Sequence, residues 1–271
     1  MQRPSHSCSV MGIINLTPDS FSDGGCFDGT RSADLLWQQV REWIQQGVKW
    51  IDLGAESTRP QSRPISDHVE WQRLSWALDV LASKDLGQAA ISIDSYHHAT
   101  QLKALSYPQV QMINCIYGAT DIDHLKALKK ACPGLSYVAM HMHGSCPATM
   151  QQQPLGEEEV LAAVCERLKG YHELLIGAGY KPESIYLDCG IGFGKTVKAN
   201  LKLIEAAPLL ADSMPLAYGL SRKSFLGSLL AIDAPCERDS ASKILEIFLI
   251  RSGVKLIRTH APGLLLSYLN A

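Results

Sequence analysis

The sequence has no long hydrophobic run, and this absence sets the first limits on what the protein can be. No stretch approaches the roughly 18 consecutive apolar residues of a membrane-spanning helix, and the first ten residues contain no apolar signal core. We therefore expect a cytoplasmic protein. The net charge is only −2, so no overall charge attracts nucleic acid or an anionic membrane.

The sequence also lacks the cysteine motifs of zinc ribbons and of thiol redox proteins. The eight cysteines are scattered and form no C-x-x-C pair, which argues against a zinc ribbon or a thioredoxin-like motif and predicts reduced thiols. No Pro/Ser/Gly-rich linker and no charge block divides the 271 residues. With 46% apolar residues, the chain is expected to form one domain, residues 1–271, around a large core.

Eight short apolar runs are present, and their length suits strands that are buried on both faces, as in a parallel sheet. The runs are 9–15, 50–56, 90–95, 111–115, 136–143, 184–190, 215–223 and 254–260. Segments with helical periodicity lie between them, at 32–46, 66–81, 98–105, 121–131, 157–178, 198–210, 240–252 and 263–270. Eight alternations predict an α/β fold, a TIM (β/α)8 barrel, with a doubly wound open sheet as the alternative.

Nearly every run ends in a polar or charged residue. In a closed parallel barrel the carboxyl ends of the strands meet at one rim, where such barrels carry their chemistry. The predicted ring consists of Asn15, Asp52, Glu56, Asp94, Asn114, His141, Asp188, Lys223, Arg258 and His260.

Two groups within this ring indicate a type of ligand. The carboxylates of Asp94 and Asp188 and the amide of Asn114 suit a heterocycle that presents N–H and C=O groups in a row, although each could instead cap a helix. A second group is cationic and suits a phosphate; it comprises Arg59, Lys223, Arg258 and His260. Asn15 offers a neutral oxygen to Mg²⁺, which proteins hold with few ligands and substrate phosphate.

Two other patterns are rejected or left weak. The segment GIGFGKT at 190–196 has Cys189 where a P-loop requires its first glycine, so we reject a P-loop. His141 and His143 have the spacing of two metal ligands on one side of a strand, but a zinc hydrolase needs more histidines at other strand ends. The long loops at 16–30 and 57–66 are expected to be mobile lids when no ligand is bound.

The order of these motifs resembles the dihydropteroate synthase family. The blocks are NLTPDSFSDGG (15–25), ESTRP (56–60), SID (92–94), MIN (112–114), DCGIGFGKT (188–196), SRKSFLG (221–227) and IRTH (257–260). The resemblance implies a folate-biosynthesis transferase that joins 6-hydroxymethyl-7,8-dihydropterin diphosphate to 4-aminobenzoate. It also implies Mg²⁺, inhibition by sulfonamides at the aminobenzoate site, a homodimer, and a dissociative displacement.

The resemblance also assigns residue roles. The pterin would be bound by Asp94, Asn114, Ile116, Met140, Asp188, Phe193 and Lys223, and the diphosphate by Asn15, Thr58, Arg59, Arg258 and His260. The aminobenzoate site would comprise Phe21, Thr58, Pro60, Lys223 and Ser224. Asn15 would be the metal ligand, and the catalytic residues would be Asp23, Asp94, Asp188 and Lys223.

Several positions depart from the family pattern, and two other functions compete. Cys115, Cys189, His97 and His143 stand where the family often has Asp, Pro, Lys and Gln, and Ala261-Pro262 follows the last motif where Asp is common. A corrinoid-dependent methyltransferase module would share Asp94, Asn114 and Asp188 but would need no diphosphate site. A catalytically silent paralogue that binds pterin or another protein is the second competitor.

Overall fold

The eight strands form a closed parallel barrel in chain order, each strand paired with the next and the last with the first. The computed structural model describes residues 8–17, 30–57 and 63–269. The strands are β1 Ser9–Asn15, β2 Trp50–Gly54, β3 Ala90–Asp94, β4 Val110–Cys115, β5 Ser136–Met140, β6 Ile185–Asp188, β7 Leu216–Tyr218 and β8 Leu256–Thr259. The predicted (β/α)8 barrel is confirmed, and the doubly wound sheet is excluded.

Helices lie between the strands and cover the outside of the barrel. In the described part of the chain they are α1 Thr30–Gln46, α2 Asp67–Ala82, α3 His98–Ala104, α4 Ile122–Ala131, α5 Val160–Gly177, α6 Val197–Glu205, α7 Ala207–Ala211, α8 Ser224–Leu230, α9 Asp239–Arg251 and α10 Pro262–Leu269. Short 3₁₀ turns at Pro182–Ser184 and Pro235–Arg238 precede β6 and α9. Among these described helices, none is long and apolar enough to cross a membrane.

Two differences from the predicted helices have local causes. The predicted helix at 198–210 is two helices, α6 and α7, because Pro208 lies in the first turn of α7, where a proline lacking an N–H is tolerated. The sequence pattern also missed α8, which begins at Ser224, directly after the run 215–223 that was predicted as strand. Its N-cap residue, Lys223, makes no capping hydrogen bond and so gives no start signal.

Side-chain caps fix where several other helices begin. Ser66 Oγ accepts a hydrogen bond from the Val69 amide at the start of α2, at 3.3 Å. Thr196 Oγ1 accepts one from the Ala199 amide at the start of α6, at 3.1 Å. Such caps satisfy backbone donors that the first helical turn leaves without partners.

The register of the strands aligns polar residues at one end of the barrel. Asn15 pairs with Gly54, Gly54 with Asp94, and Asp94 with Asn114, so these four residues of β1 to β4 lie at one level. Side chains alternate between the two faces of a strand, so residues two positions earlier share their face.

The barrel interior below this level is filled by apolar side chains. A small buried cluster consists of Met11, Met112, Val138, Ala217 and Leu256, while a much larger cluster fills the space between the barrel and the helices. Of the small cluster, Met112 and Leu256 lie two residues before Asn114 and Arg258. The alternation therefore directs Asn114 and Arg258 into the same interior, at its carboxyl end.

Candidate active site

An arginine from β8 and two aspartates from β2 and β3 form the centre of the site. Arg258 Nε donates to Asp52 Oδ2 at 2.9 Å, and its Nη2 donates both to that oxygen and to Asp94 Oδ2, the latter at 2.7 Å. The Arg258 side chain is 11% exposed, and that of Asp52 is fully buried. One guanidinium is therefore shared by two carboxylates in a site of low dielectric constant.

Asn114 joins the same network. Its Nδ2 donates to Asp52 Oδ2 at 3.2 Å, so the amide is held in one orientation by a carboxylate that Arg258 also holds. Asp94, in turn, is 21% exposed and is the member of this group that faces solvent. Arg258 and Asp52 thus act as a support that positions Asn114 and Asp94.

The buried setting changes the protonation of Asp94. Burial raises the pKa of Asp94 to about 7, with Arg258 opposing the rise and Asp52 adding to it. Arg258 has the opposite balance: burial lowers its pKa, but Asp52 and Asp94 outweigh burial and raise it above its ordinary value. The guanidinium stays charged, whereas Asp94 can hold or release a proton near neutral pH.

A second charged pair lies on the other side of the mouth, from β6 and the segment before α8. Burial raises the pKa of Asp188, and the charge of Lys223 is the main opposing effect. Burial likewise lowers the pKa of Lys223 to about 8, with Asp188 opposing. Lys223 Nζ donates to the Ile191 carbonyl at 2.5 Å, and Asp188 Oδ1 accepts from the Gly190 amide at 2.7 Å. Both side chains are therefore tied to the glycine-rich loop that follows β6.

That loop can approach its neighbours closely only because its glycines lack side chains. Gly190 has φ of 65°, and a Cβ there would lie 1.9 Å from the carbonyl oxygen of His141. Lys195, which is 4% exposed, closes the loop from below: its Nζ donates to the carbonyls of Gly190 at 2.8 Å and Phe193 at 3.0 Å. It also contacts His141 Nδ1 at 3.0 Å. Lys195, which belongs to the segment rejected as a P-loop, is thus a buried brace: its side chain connects this loop to the residue that follows β5.

The predicted apolar walls come together in one cluster. Ile116, Met140 and Phe193 are buried against one another and Met150. Lys223 Nζ lies 4.4 Å from the centroid of the Phe193 ring, within range of a cation–π contact. Aromatic and thioether surfaces of this kind suit the face of a planar ring, while the carboxylates suit its edge.

The remaining described candidates lie at other strand ends. His260 follows β8, and Ser221 Oγ contacts its Nδ1 at 3.1 Å and accepts from its backbone amide at 3.2 Å. Asn15 ends β1 at the level of Asp94, and Ser224 is the exposed first residue of α8 beside Lys223. The other predicted site residues, Phe21, Asp23, Thr58, Arg59 and Pro60, lie outside the described residues, as do 18–29 and 58–62 of the two loops predicted to be mobile.

Comparison with known proteins agrees with this geometry. Residues 11–260 match the family described as pterin binding enzyme. Dihydropteroate synthase of Neisseria meningitidis serogroup C is 34% identical over 254 residues, which cover 93% of this chain and 87% of that protein. This chain belongs to the dihydropteroate synthase family.

Other members of the family can be compared with this chain in length and in fold. The chain spans about half (47%) of a mitochondrial folate synthesis bifunctional protein of Arabidopsis thaliana, to which it is 34% identical. Crystal structures of dihydropteroate synthase from Clostridium difficile with pteroic acid and from Yersinia pestis with a sulfonamide drug both superpose with a TM-score of 0.81 at 30% identity. Both superpositions cover 97% of this chain; they cover 95% of the Clostridium difficile chain and 94% of the Yersinia pestis chain.

Two members of the predicted ring take other places in this dihydropteroate synthase family member. Glu56 follows β2 and accepts from the Tyr96 hydroxyl at 2.9 Å, not from the Arg258 network. The prediction that 136–143 is all strand was wrong, because β5 ends at Met140 and the His141 amide bonds to the Asp188 carbonyl at 2.9 Å. His141 and His143 therefore lack the strand alternation on which their shared metal would depend.

Sequence reasoning missed the supporting residues of the site. Asp52 was placed in the ring but was given no role, although it contacts both Arg258 and Asn114. A buried aspartate within the apolar run WIDLG was the signal, because a buried carboxylate requires a partner. Lys195 and Ser221 gave no comparable signal, since their partners are backbone carbonyls and a neighbouring histidine.

Proposed function

We propose that the protein is a dihydropteroate synthase, which joins 6-hydroxymethyl-7,8-dihydropterin diphosphate to 4-aminobenzoate and releases diphosphate and 7,8-dihydropteroate. The observation that carries the proposal is a group of polar side chains at one barrel mouth: Asp94 and Asn114, held by Arg258 and Asp52, face the pair Asp188 and Lys223. Membership of the family supplies the reaction class.

The proposed pterin site uses these groups in complementary ways. Asp94 and Asp188 accept the ring N–H and amino donors, and Asn114 matches a donor and acceptor pair on the same edge. The apolar cluster of Ile116, Met140 and Phe193 covers the faces of the ring. Because these carboxyls are buried in an environment that raises their pKa, binding of neutral N–H donors favours their ionised form.

The diphosphate and its cation belong at the ends of β1 and β8. Asn15, Arg258 and His260 lie there, and we propose that Thr58 and Arg59 complete this part of the site. Asn15 is a fitting Mg²⁺ ligand, because it carries an amide oxygen and ends β1 at the level of Asp94, and Mg²⁺ is held by few protein ligands together with substrate phosphate. Bound Mg²⁺ would neutralise negative charge on the leaving diphosphate.

We expect the displacement to be dissociative. No described residue is needed as a nucleophile, because diphosphate is a good leaving group and the pterin can stabilise the methylene cation that remains. The carboxylates of Asp94 and Asp188 favour that positive charge, and Lys223 holds the pterin edge. The aminobenzoate amine would then attack from a site formed by Phe21, Pro60 and Ser224, with Asp23 closing the first loop. Sulfonamides are proposed to occupy that site.

The dissociative displacement can be tested with pterins of different electron density. Rates that fall with increasingly electron-poor pterins would support a cationic transition state, and rates that do not change would contradict it.

The decisive experiment measures diphosphate release by the purified protein with Mg²⁺, the pterin diphosphate and 4-aminobenzoate. We expect release that depends on both substrates, is lost with a metal chelator and returns with Mg²⁺. The Asn15→Ala variant should require more Mg²⁺ for half-maximal rate. Tight pterin binding without release would instead identify a silent paralogue, and methyl transfer from a methylated folate to a corrinoid protein would identify a methyltransferase module.

We also propose that the protein is a homodimer, formed through the outer helices of the C-terminal half. Ile244 and Phe248 on α9 are 69% and 41% exposed, and Leu229 and Leu230 on α8 are similarly open. Exposed apolar side chains on adjacent helices favour association with a second copy. Light scattering should give twice the chain mass, and Ile244→Glu should give the mass of one chain. A cytoplasmic location stays a prediction.

A further inference from the structure

Outside the proposed substrate contacts, two glutamates and a histidine bring their side chains together. Glu56 follows β2, Glu70 lies in the first turn of α2, and His97 precedes α3. One ligand atom from each residue can be chosen so that all three lie within 4.8 Å of one another. Glu70 is 1% exposed, and the side chains of Glu56 and His97 are 8% and 22% exposed. The cluster therefore differs from a group of solvated surface acids.

The separation of two of these atoms is informative. His97 Nε2 lies 3.6 Å from Glu56 Oε2, which is too long for a hydrogen bond. Two atoms that each lie about 2.0–2.2 Å from one tetrahedral metal ion are about 3.3–3.6 Å apart, so the observed distance suits two ligands of one ion. Nε2 of His97 is also buried without a hydrogen-bond partner among the described residues.

The surrounding bonds hold these ligands in place without using His97 Nε2. Ser95 Oγ donates to Glu70 Oε2 at 2.8 Å and accepts from the His97 amide at 3.1 Å. The Tyr96 hydroxyl donates to Glu56, at 2.9 Å and 3.0 Å from its two oxygens. His97 is the N-cap residue of α3, but its side chain makes no capping hydrogen bond. Hydrogen bonds to the groups that carry metal ligands are a usual feature of metal sites.

The charge of the cluster also calls for a cation. Two buried carboxylates lie beside one histidine, and no arginine or lysine in the described ranges forms an ion pair with either of them. Imidazole nitrogen with carboxylate oxygen is a donor set typical of Zn²⁺, whereas Mg²⁺ prefers oxygen ligands alone.

We infer that Glu56, Glu70 and His97 form a zinc-binding site, with water as the fourth ligand. This site is separate from the Mg²⁺ proposed at Asn15 and does not depend on the proposed function.

Zinc binding by the whole chain tests the inference. Protein freed of metal by a chelator would be titrated with Zn²⁺ by calorimetry in the presence of excess Mg²⁺. We expect one ion per chain, and His97→Gln should weaken binding by about 100-fold or more, since one of three protein ligands is lost. His98→Gln is the matched control, because His98 is the adjacent and more exposed histidine and should leave the affinity unchanged.

A second measurement needs no variant and covers the case in which His97→Gln fails to fold. Co²⁺ bound to nitrogen and oxygen ligands shows weak visible bands, whereas binding to any of the eight cysteines adds an intense thiolate charge-transfer band in the near ultraviolet. The wild-type protein should show the first spectrum, with one equivalent bound. Absence of binding, a thiolate spectrum, or binding that His97→Gln does not weaken would overturn the inference.

Discussion

Arg258 Nε donates to Asp52 Oδ2 at 2.9 Å across the barrel interior, although β8 and β2 are not neighbouring strands. The strand between them is β1, which ends in Asn15. The pair therefore connects both strands that flank the proposed metal ligand, and Arg258 extends the connection to Asp94 on β3. One buried guanidinium sets the relative positions of groups that are proposed to bind the pterin and the diphosphate.

Asp52→Asn should be strongly destabilising. The amide cannot neutralise Arg258, which is 11% exposed and would keep only Asp94 as a charged partner. Breaking a buried ion pair from one side costs about 3–5 kcal/mol, and we expect the free energy of unfolding in urea to fall by about 3 kcal/mol. Asp212→Asn, at an exposed position, is the control and should change it by less than about 0.5 kcal/mol. Equal stabilities for the two variants would show that Asp94 alone suffices for Arg258.

Two groups of the site predict the pH dependence of activity. The kcat/KM for the pterin should rise through about pH 7 as Asp94 loses its proton, and fall above about pH 8 as Lys223 loses its own. The Lys223→Arg variant should have a lower kcat/KM, but its kcat/KM should no longer fall above about pH 8, because a guanidinium stays charged there. An unchanged alkaline limb in this variant would assign that limb to another group.

The same carboxyl predicts a pH dependence of stability. The pKa of Asp94 is about 7 in the folded protein against an ordinary value of 3.8, so the folded state binds more protons between these values. Its contribution to stability is present below about pH 4 and is lost as the pH rises through 7. Urea unfolding of the wild type and of Asp94→Asn across this range isolates the effect. The wild type should lose unfolding free energy relative to Asp94→Asn as the pH rises, because asparagine does not titrate.

The strands were predictable because they are largely buried on both faces and so appear as mostly apolar runs. The run at 9–15 coincides with β1, and polar residues such as Asp94 and Asp188 end their strands as expected. The contacts between these residues were not predictable in the same way. Which carboxylate Arg258 reaches depends on strand register and on the distance across the barrel, neither of which leaves a local pattern in the sequence.

The glycine-rich loop gives a prediction about Lys195. Its buried side chain donates to the carbonyls of Gly190 and Phe193, each of which also accepts one backbone N–H, and a methionine would remove the lysine's hydrogen bond from both. Each lost hydrogen bond is worth about 0.5–1.5 kcal/mol, so Lys195→Met should lower the free energy of unfolding by about 2 kcal/mol and weaken pterin binding. Lys198→Met, three residues later and exposed, should do neither. Calorimetry with the pterin and urea unfolding measure the two effects, and normal pterin affinity in Lys195→Met would show that the brace does not position the site.

Two glycines separate the cost of backbone conformation from the cost of close approach. Gly179 and Gly190 both have positive φ, at 92° and 65°, which strains any residue with a side chain. A Cβ at Gly179 would have no atom within 4 Å, whereas one at Gly190 would lie 1.9 Å from the His141 carbonyl oxygen. Gly179→Ala should therefore cost only the conformational strain, about 1–2 kcal/mol in urea unfolding. Gly190→Ala should lower the free energy of unfolding by at least about 2 kcal/mol more, because the loop must move away from β5.

That movement carries Asp188 and Phe193 with it, so pterin binding should weaken in Gly190→Ala and remain normal in Gly179→Ala. Equal costs would mean that the loop can move without loss of packing.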